Sequence, residues 1–513
     1  MMIKIRIRIL DLLSVGWLAS GIIVFLLGWC QWYVSLPLVF MIMYVSFQMY
    51  TSDDMGEMEI SSGKFWGALA ICAMILVLCG IGGYVVQPND DVGRNAIFRD
   101  IMNYSWPVYD GETANYMVYY LGFWMVPGAI GKLFGSMEIG FLMQVVWLSL
   151  GFHLLFLQIC RYIGKARISY LWFLCFFSSM KILEFIFDSP VLGEGWIHQM
   201  ILDVARNNSP GPFHAAPMIQ LLYDPFNQTI PLFLGMAMMI NNVRSRYIPF
   251  IYGLLFLYCP LPLIGLTPIV LYWFVKNIWA EKSNKLIGVV RTLFSLENIT
   301  ALLLLILLGM YMMSNVAAGH RSLRPVSDWG ATLYEFIVYL VLEFGVFSVL
   351  GWKSCQDKRL LVFTLLTVAL FAWVMFGNHN DFCFRTNMPL IFMLMLLVTK
   401  RYYESFTTRR VKATILILLI VGGVPAQIHP MLRWISTAFI ATGHDQAELN
   451  RYQRFVDVKS LYVMRQTKIR NDDLKSVFRP GPLGWMCVNF RGTPHSFFFK
   501  YLARKKSSQK INL

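Results

Sequence analysis

Two adjacent carboxylates and an arginine stand together in residues 90–94, which read DDVGR. Either Asp90 or Asp91 could bind a divalent metal such as Mg²⁺ or Mn²⁺, or accept the proton of a hydroxyl group. Arg94 could bind phosphate. The simpler alternative is that one aspartate only caps the helix that follows, because acidic residues are frequent before helices. Both alternatives remain open from the sequence.

The residues after this pair predict an amphipathic helix in the membrane interface. One helical face carries apolar side chains and the other polar ones, namely Ile97, Phe98, Ile101 and Met102 against Arg94, Asn95 and Arg99. Residues 114–135 follow as an aromatic-rich stretch with Pro127 and four glycines. If this stretch spanned the membrane, the later basic clusters would face outward, so we expect a second interfacial helix there.

Three later polar segments carry residues that could line a substrate site. They are Asp224 and Asn227 at the start of an apolar run, Arg321 and Arg324 in a loop, and His379, Asn380, Asp381 and Arg385 between two apolar runs. Arginines outside the membrane suit an anion such as a lipid phosphate. The alternatives are a proline turn at Asp224, headgroup snorkelling of the arginines, and a structural Asp381–Arg385 pair.

Composition places these segments in a membrane protein. Of 513 residues, 57% are hydrophobic and 14% are charged, whereas a soluble domain has roughly a quarter charged residues. A soluble enzyme, a disordered chain and a disulfide-stapled secreted module are therefore excluded. Apolar runs predict about thirteen membrane segments, near 11–28, 32–50, 65–86, 137–160, 168–187, 218–241, 247–259, 262–276, 298–315, 331–352, 360–377, 387–399 and 413–430.

The basic residues orient these segments. If the N-terminus is cytoplasmic, most basic clusters before residue 431 fall in inner loops, as the positive-inside rule predicts, with the acidic segment 51–64 as the exception. The net charge of +15 therefore indicates membrane topology and not a nucleic-acid partner. The expected architecture is an all-α polytopic core over 1–430 in the cell membrane, with outer loops 87–136 and 188–217.

Two further features complete the expected architecture. Residues 431–513 form a small tail with fifteen basic and five acidic residues, which the loop count assigns to the outer side. The short runs 247–259 and 262–276 are broken by the sequence CPLP and predict a half-length hairpin. Its turn must be buried in protein or face a water-filled cavity, because lipid cannot satisfy exposed backbone groups.

A carboxylate pair, an interfacial helix and then an aromatic hydrophobic helix resemble the GT-C superfamily of membrane glycosyltransferases. The segments NDDVGRNAIFRDIMNYSWPV and VYYLGFWMVPGAIGKLFG are similar to the first loops of uncharacterised bacterial members. The segment HNDFCFRTNMPLIF resembles a late N-D-x-x-x-R-x-x-x-P element of the same proteins. The resemblance covers the layout of residues 1–430, although the acidic loop here follows the third predicted span, whereas the superfamily usually places it after the first.

The resemblance implies a polyprenyl-phosphate-linked sugar donor that enters from the bilayer, and a glycan, lipid or protein acceptor on the outer side. By motif position, Asp90 or Asp91 would activate the acceptor, as a base or as a metal ligand. Arg385, together with Arg321 and Arg324, would hold the donor phosphate. A non-enzymatic flippase or carrier of a lipid-linked saccharide is the alternative, since it would use the same outer arginines.

Overall fold

The computed structural model describes residues 1–51, 56–85, 87, 90–111, 113–178, 180, 213, 215–243, 245–280, 290, 293–319, 324–325, 329–375, 380–441 and 489–505. These residues are predominantly helical. The helices are α1 (Ile7–Trp29), α2 (Trp32–Thr51), α3 (Ser62–Leu78), α4 (Asp90–Asn103), α5 (Gly122–Phe134), α6 (Met137–Ile163), α7 (Ser169–Phe176), α8 (Met218–Tyr223), α9 (Phe226–Asn241), α10 (Ile248–Leu255), α11 (Pro260–Ala280), α12 (Leu296–Met312), α13 (Trp329–Tyr339), α14 (Val346–Gly351), α15 (Lys358–Ala372), α16 (Asp381–Thr386), α17 (Met388–Tyr403) and α18 (Arg409–Ala441).

Seven short strands accompany the helices in the described residues. They are β1 (Met2–Arg6), β2 (Glu57–Ser61), β3 (Tyr109–Asp110), β4 (Asn115–Met117), β5 (Arg324–Pro325), β6 (Val374–Met375) and β7 (Arg491–Gly492). They pair antiparallel as β1–β2, as β3–β4–β7 and as β5–β6. Each sheet joins segments that are distant in the sequence, so the strands fasten loops at the ends of the helices.

Five helical segments of the described chain are long and apolar enough to cross a membrane. They are Ile7–Trp29, Trp32–Thr51, Met137–Ile163, Pro260–Trp279 and Thr332–Ser354. Two shorter apolar helices are Ser62–Leu78 and Leu296–Met312. These segments suit a lipid bilayer and agree with a helical membrane protein. The figure of about thirteen membrane segments stays a prediction, and the predicted run 168–187 lies partly outside the described residues.

The acidic exception to the charge rule has a structural explanation. Strand β1 pairs with β2 in a register that sets Lys4 opposite Glu59 and Arg6 opposite Glu57. In each pair the charged atoms lie 3.6 Å apart. These exposed ion pairs contribute little to stability, but they place Glu57 and Glu59 directly beside the N-terminal basic residues. The sequence did not predict these strands.

Helix α1 lies at the centre of the bundle and packs against α2, α5 and α6. At Gly21, an added Cβ atom would lie 2.3 Å from the Gly122 carbonyl oxygen and 2.3 Å from the Tyr258 hydroxyl. The Tyr258 hydroxyl donates a hydrogen bond to the Leu18 carbonyl oxygen over 2.9 Å. Glycine at position 21 therefore allows α5 and the α10–α11 turn to reach the backbone of α1.

The predicted half-length hairpin is only half correct. The first arm, α10, is short, but α11 is long enough to span the membrane. The turn between them is buried, since Leu257, Tyr258 and Cys259 have no exposed surface. Of the two predicted alternatives for the turn, burial in protein is therefore the one observed, and the expected length of the second arm is wrong.

The two predicted interfacial helices are also more deeply buried than expected. Helix α5 has 13 residues and, at about 1.5 Å per residue, is too short for a bilayer core of about 30 Å. Helix α4 begins at Asp90, but its predicted outward face is covered: Arg94, Asn95 and Arg99 are all buried. The polar face of α4 is therefore covered by protein, with α4 packed against α5 and α6, and the placement of both helices in the membrane interface stays a prediction.

The predicted boundary at residue 430 is displaced. Helix α18 continues to Ala441, so residues 431–441 extend the last helix. The end of the described chain then returns to the segment before α5, where β7 pairs with β4. The Phe499 ring stacks on Tyr116 with centroids 4.0 Å apart, and the Arg504 amide donates to the Trp29 carbonyl oxygen over 2.8 Å. Residues 489–505 therefore dock on the helical core.

Candidate functional site

A buried ion-pair cluster joins helix α4 to the start of α9. Arg94 Nη1 lies 2.6 Å from Asp91 Oδ1, and Arg94 Nη2 lies 3.3 Å from Asp224 Oδ1. The side chains of Arg94 and Asp91 are almost fully buried, whereas that of Asp224 is 26% exposed. The Arg94 guanidinium also lies 5.6 Å from the centroid of the Phe226 ring. Asp224 is therefore the accessible carboxylate of this cluster.

Local sequence explains how these side chains meet. Asp91 and Arg94 are three residues apart on α4, so they are neighbours on its surface. Pro225 has no amide hydrogen and disfavours a helical residue before it. Helix α8 therefore stops at Tyr223, and α9 starts at Phe226. The break leaves Asp224 between two helix ends, so the proline turn that the sequence offered as an alternative is the element that presents this carboxylate.

Arg385 is held by the short helix α16, which follows a strained residue. Asn380 has a φ of 47°, and its side-chain oxygen accepts a hydrogen bond from the Cys383 amide over 3.2 Å. At Gly265 of α11, an added Cβ atom would lie 1.9 Å from the Thr386 carbonyl oxygen. The cap and this backbone contact fix the position of α16, and with it the position of Arg385.

Arg385 belongs to the same electrostatic environment as the α4 cluster. Burial lowers its pKa, but Tyr120, Asp381, Asp224 and Tyr119 together raise the pKa above its ordinary value. Its Nη1 atom is buried and has no hydrogen-bond partner among the described residues. Asp381 raises the pKa of Arg385 through its negative charge, although the two side chains do not form an ion pair in the described part of the chain. Arg385 therefore holds a desolvated cationic group with a free donor.

Tyr119 and Tyr120 lie between these two parts of the site, and the sequence did not single them out. The Tyr119 hydroxyl donates a hydrogen bond to that of Tyr120, and the Tyr119 amide donates to the Tyr311 hydroxyl over 3.1 Å. Burial and Tyr120 raise the pKa of Tyr119 well above its usual value, against the opposing effect of Arg94 and Arg385. Tyr119 therefore carries a neutral hydroxyl group at neutral pH.

Asn227 and Asn380 were predicted to line a substrate site, and both are buried. Asn227 has no exposed surface, and neither polar atom of its amide has a hydrogen-bond partner among the described residues. Asn380 uses its side-chain oxygen to cap α16. The Asn227 amide can therefore still form hydrogen bonds with a ligand. The Asn380 side chain instead stabilises the helix that positions Arg385.

The remaining predicted site residues are only partly described. Arg321 and His379 lie outside the described residues. Arg324 is described in its backbone alone, where β5 pairs with β6 and so brings its loop towards the segment before α16. Asp90 is the first residue of α4, and its side chain lies outside the description. These roles stay predictions.

The described residues include no group of three or more His, Cys, Asp or Glu side chains placed to hold a metal ion. One Asp91 oxygen is already in contact with Arg94. The prediction that Asp90 and Asp91 bind Mg²⁺ or Mn²⁺ therefore stays untested.

No protein family, curated protein or solved structure matches this chain. Three distant stretches contribute to the candidate site: α4 with its ion pair, the Asp224–Phe226 segment, and α16 with Arg385. The two tyrosines link them. Isolated motifs could not reveal Tyr119 and Tyr120, although the aromatic-rich run that contains them is visible in residues 114–135.

Proposed function

We propose that this protein is a membrane glycosyltransferase that moves a sugar from a polyprenyl-phosphate-linked donor to an acceptor on the outer side of the cell membrane. The observation that carries the proposal is the placement of Arg385, whose buried Nη1 has no hydrogen-bond partner among the described residues and whose charge environment includes Asp224. A buried cation with a free donor suits an anionic ligand, because an unsatisfied charged group is costly.

In this proposal Arg385 binds the donor phosphate, with Arg321 and Arg324 as further candidates. Arg94 is held between two carboxylates, so most of its charge is already compensated. We therefore assign Arg94 to the edge of the phosphate site, where it also orients Asp91 and Asp224. Tyr119 and Tyr120 supply hydroxyl groups that can bind oxygen atoms of the sugar or the phosphate.

The reaction forms a bond between the acceptor oxygen and the anomeric carbon of the sugar. The bond from that carbon to the phosphate oxygen breaks, and the phosphate leaves with the electron pair. The acceptor proton passes to a carboxylate, for which the resemblance assigns Asp90 or Asp91. We add Asp224 to these candidate bases, since it is more exposed than Asp91 and pairs with the same arginine.

The test is sugar transfer by the purified protein from a panel of polyprenyl-phosphate donors. Asp90→Asn, Asp91→Asn and Asp224→Asn are compared with wild type, and Asp110→Asn serves as an outer-loop control. Asp110 is buried, and its carboxylate accepts hydrogen bonds from the Thr113 amide and hydroxyl. Removal of the catalytic base is expected to slow transfer by about 10²- to 10⁴-fold. Donor binding without transfer in every sample would favour the carrier.

A further inference from the structure

Two apolar grooves meet at the N-terminal end of α15. The larger has a volume of about 1210 Å³ and lies between α11 and residues 353–363. The smaller has a volume of about 400 Å³ and is lined by Trp352, Val362 and Leu366. Lys358, Arg359 and Phe363 line both grooves. The grooves therefore adjoin along Phe363 and share one basic rim.

The walls of both grooves are apolar and exposed. Leu271, Val275 and Phe363 in the larger groove, and Val362 and Leu366 in the smaller one, all expose a large part of their surface. Helix α11 is among the helices long and apolar enough to span a membrane. The larger groove also exceeds the usual volume of a drug-sized pocket, roughly 300–1,000 Å³. An open apolar groove of this size suits long, flexible hydrocarbon chains.

The rim has an excess of positive charge. Asp357 is the acidic residue of the lining, and Lys276 Nζ lies 2.5 Å from its Oδ2 atom. Asp357 also accepts a hydrogen bond from the Leu360 amide over 3.1 Å, and so caps α15. Lys353, Lys358 and Arg359 are exposed and form no ion pair with an acidic side chain in the part of the chain that is described. These three cations are therefore available for an anion.

We propose that this double groove binds an anionic phospholipid, with its phosphate at Lys353, Lys358 and Arg359 and one acyl chain in each groove. The three cations attract the negative charge of a lipid phosphate, and the guanidinium of Arg359 can bind two phosphate oxygens at once. The two grooves on either side of a shared basic rim match the two chains of one glycerophospholipid. The predicted topology places this rim in the inner leaflet. The site is independent of the proposed transferase activity.

The test is native mass spectrometry of the detergent-purified protein with phosphatidylglycerol and with phosphatidylcholine. The variant Lys353→Gln/Lys358→Gln/Arg359→Gln removes the three cations. Arg409→Gln/Arg410→Gln/Lys412→Gln at the start of α18 is the matched control, with the same loss of charge. We expect the first variant to retain phosphatidylglycerol at least about 30-fold less well than wild type, and the control to retain it unchanged.

Two further arms separate a lipid site from a simple anion site. Inorganic phosphate and dihexanoyl phosphatidylglycerol are added to protein that already carries the long-chain lipid. We expect neither to displace it, because the grooves hold the acyl chains. Displacement by inorganic phosphate, equal retention of phosphatidylcholine, or an equal loss of binding in the control variant would each overturn the proposal.

Discussion

Arg94 Nη2 lies 3.3 Å from Asp224 Oδ1, although 130 residues separate the two in the sequence. The contact joins α4 to the break between α8 and α9. It also determines how much charge remains for a ligand, because the same guanidinium is bound to Asp91 over 2.6 Å. The site therefore has one compensated arginine and one, Arg385, with a free donor among the described residues.

Replacement of Arg94 by leucine should destabilise the protein. The change leaves the buried Asp91 without this cation, and loss of one partner of a buried pair costs about 3–5 kcal/mol. Thermal unfolding in detergent measures the effect. The double variant Arg94→Leu/Asp91→Leu should recover part of the loss, since no buried charge is then left alone. A double variant that is less stable than Arg94→Leu would contradict this account of the pair.

Replacement of Arg385 by glutamine should weaken donor binding without unfolding the protein. Hydrogen bonds to a charged group contribute about 1.5–3 kcal/mol, which corresponds to roughly 10- to 150-fold in affinity. Binding of a polyprenyl-phosphate donor to the folded variant measures the effect. Arg246→Gln is the control, because Arg246 pairs with Glu297 over 2.8 Å outside the site. Unchanged binding in Arg385→Gln would remove Arg385 from the phosphate site.

Removal of divalent metal separates the two roles predicted for the carboxylate pair. Arg94 already compensates the charge of Asp91, so we expect transfer to persist in the presence of EDTA, with Asp91 acting as a base. Transfer rates before and after chelation measure this. A loss that Mg²⁺ or Mn²⁺ restores would instead assign Asp90 and Asp91 to metal binding.

Replacement of Gly21 by alanine should destabilise the bundle. The new Cβ atom would lie 2.3 Å from the Gly122 carbonyl oxygen, and overpacking of a core costs about 1–3 kcal/mol. Gly16→Ala on the same helix is the matched control, because nothing lies within 4 Å of its added Cβ atom. The control should be neutral or more stable by up to about 1 kcal/mol. Equal melting temperatures for both variants would show that α1 and α5 can separate.

Replacement of Phe499 by alanine should release the docked end of the chain. Phe499 is buried against Tyr116, and a buried Phe→Ala change costs about 3–5 kcal/mol. Phe497→Ala, two residues earlier, is the control, because the Phe497 side chain is exposed. Limited proteolysis of residues 489–505 and the melting temperature measure both variants. Equal protection in the two variants would contradict the docking.

The sequence predicted Asp91, Arg94, Asp224 and Arg385 separately, because their residue types and positions are unusual in a membrane protein. Their assembly into one site depends on close backbone approaches at Gly21 and Gly265, which no local spacing encodes. Local spacing also cannot show that Tyr119 and Tyr120 lie near Arg94 and Arg385, so in the sequence they resemble ordinary interfacial aromatic residues.

Differences in the fold have local causes. The run predicted as 65–86 ends as helix at Leu78, because Gly80, Gly82 and Gly83 adopt positive φ values. The run predicted as 218–241 is divided by Pro225. Apolar composition continues through both breaks, so hydropathy alone cannot detect them. The β1–β2 pairing depends on contacts between segments more than fifty residues apart, which composition does not reveal.

The pairing of β7 with β4 also sets an order of events during biosynthesis. Strand β4 is made before α5, and β7 is made after α18, so every later helix of the described chain must be synthesised before the β3–β4–β7 sheet can close. Tyr119 and Tyr120 follow β4, which has no β7 partner until residues 491–492 have been synthesised. The nascent chain can therefore complete all of these helices before the sheet beside Tyr119 and Tyr120 closes, and sheet closure belongs to the late steps of folding.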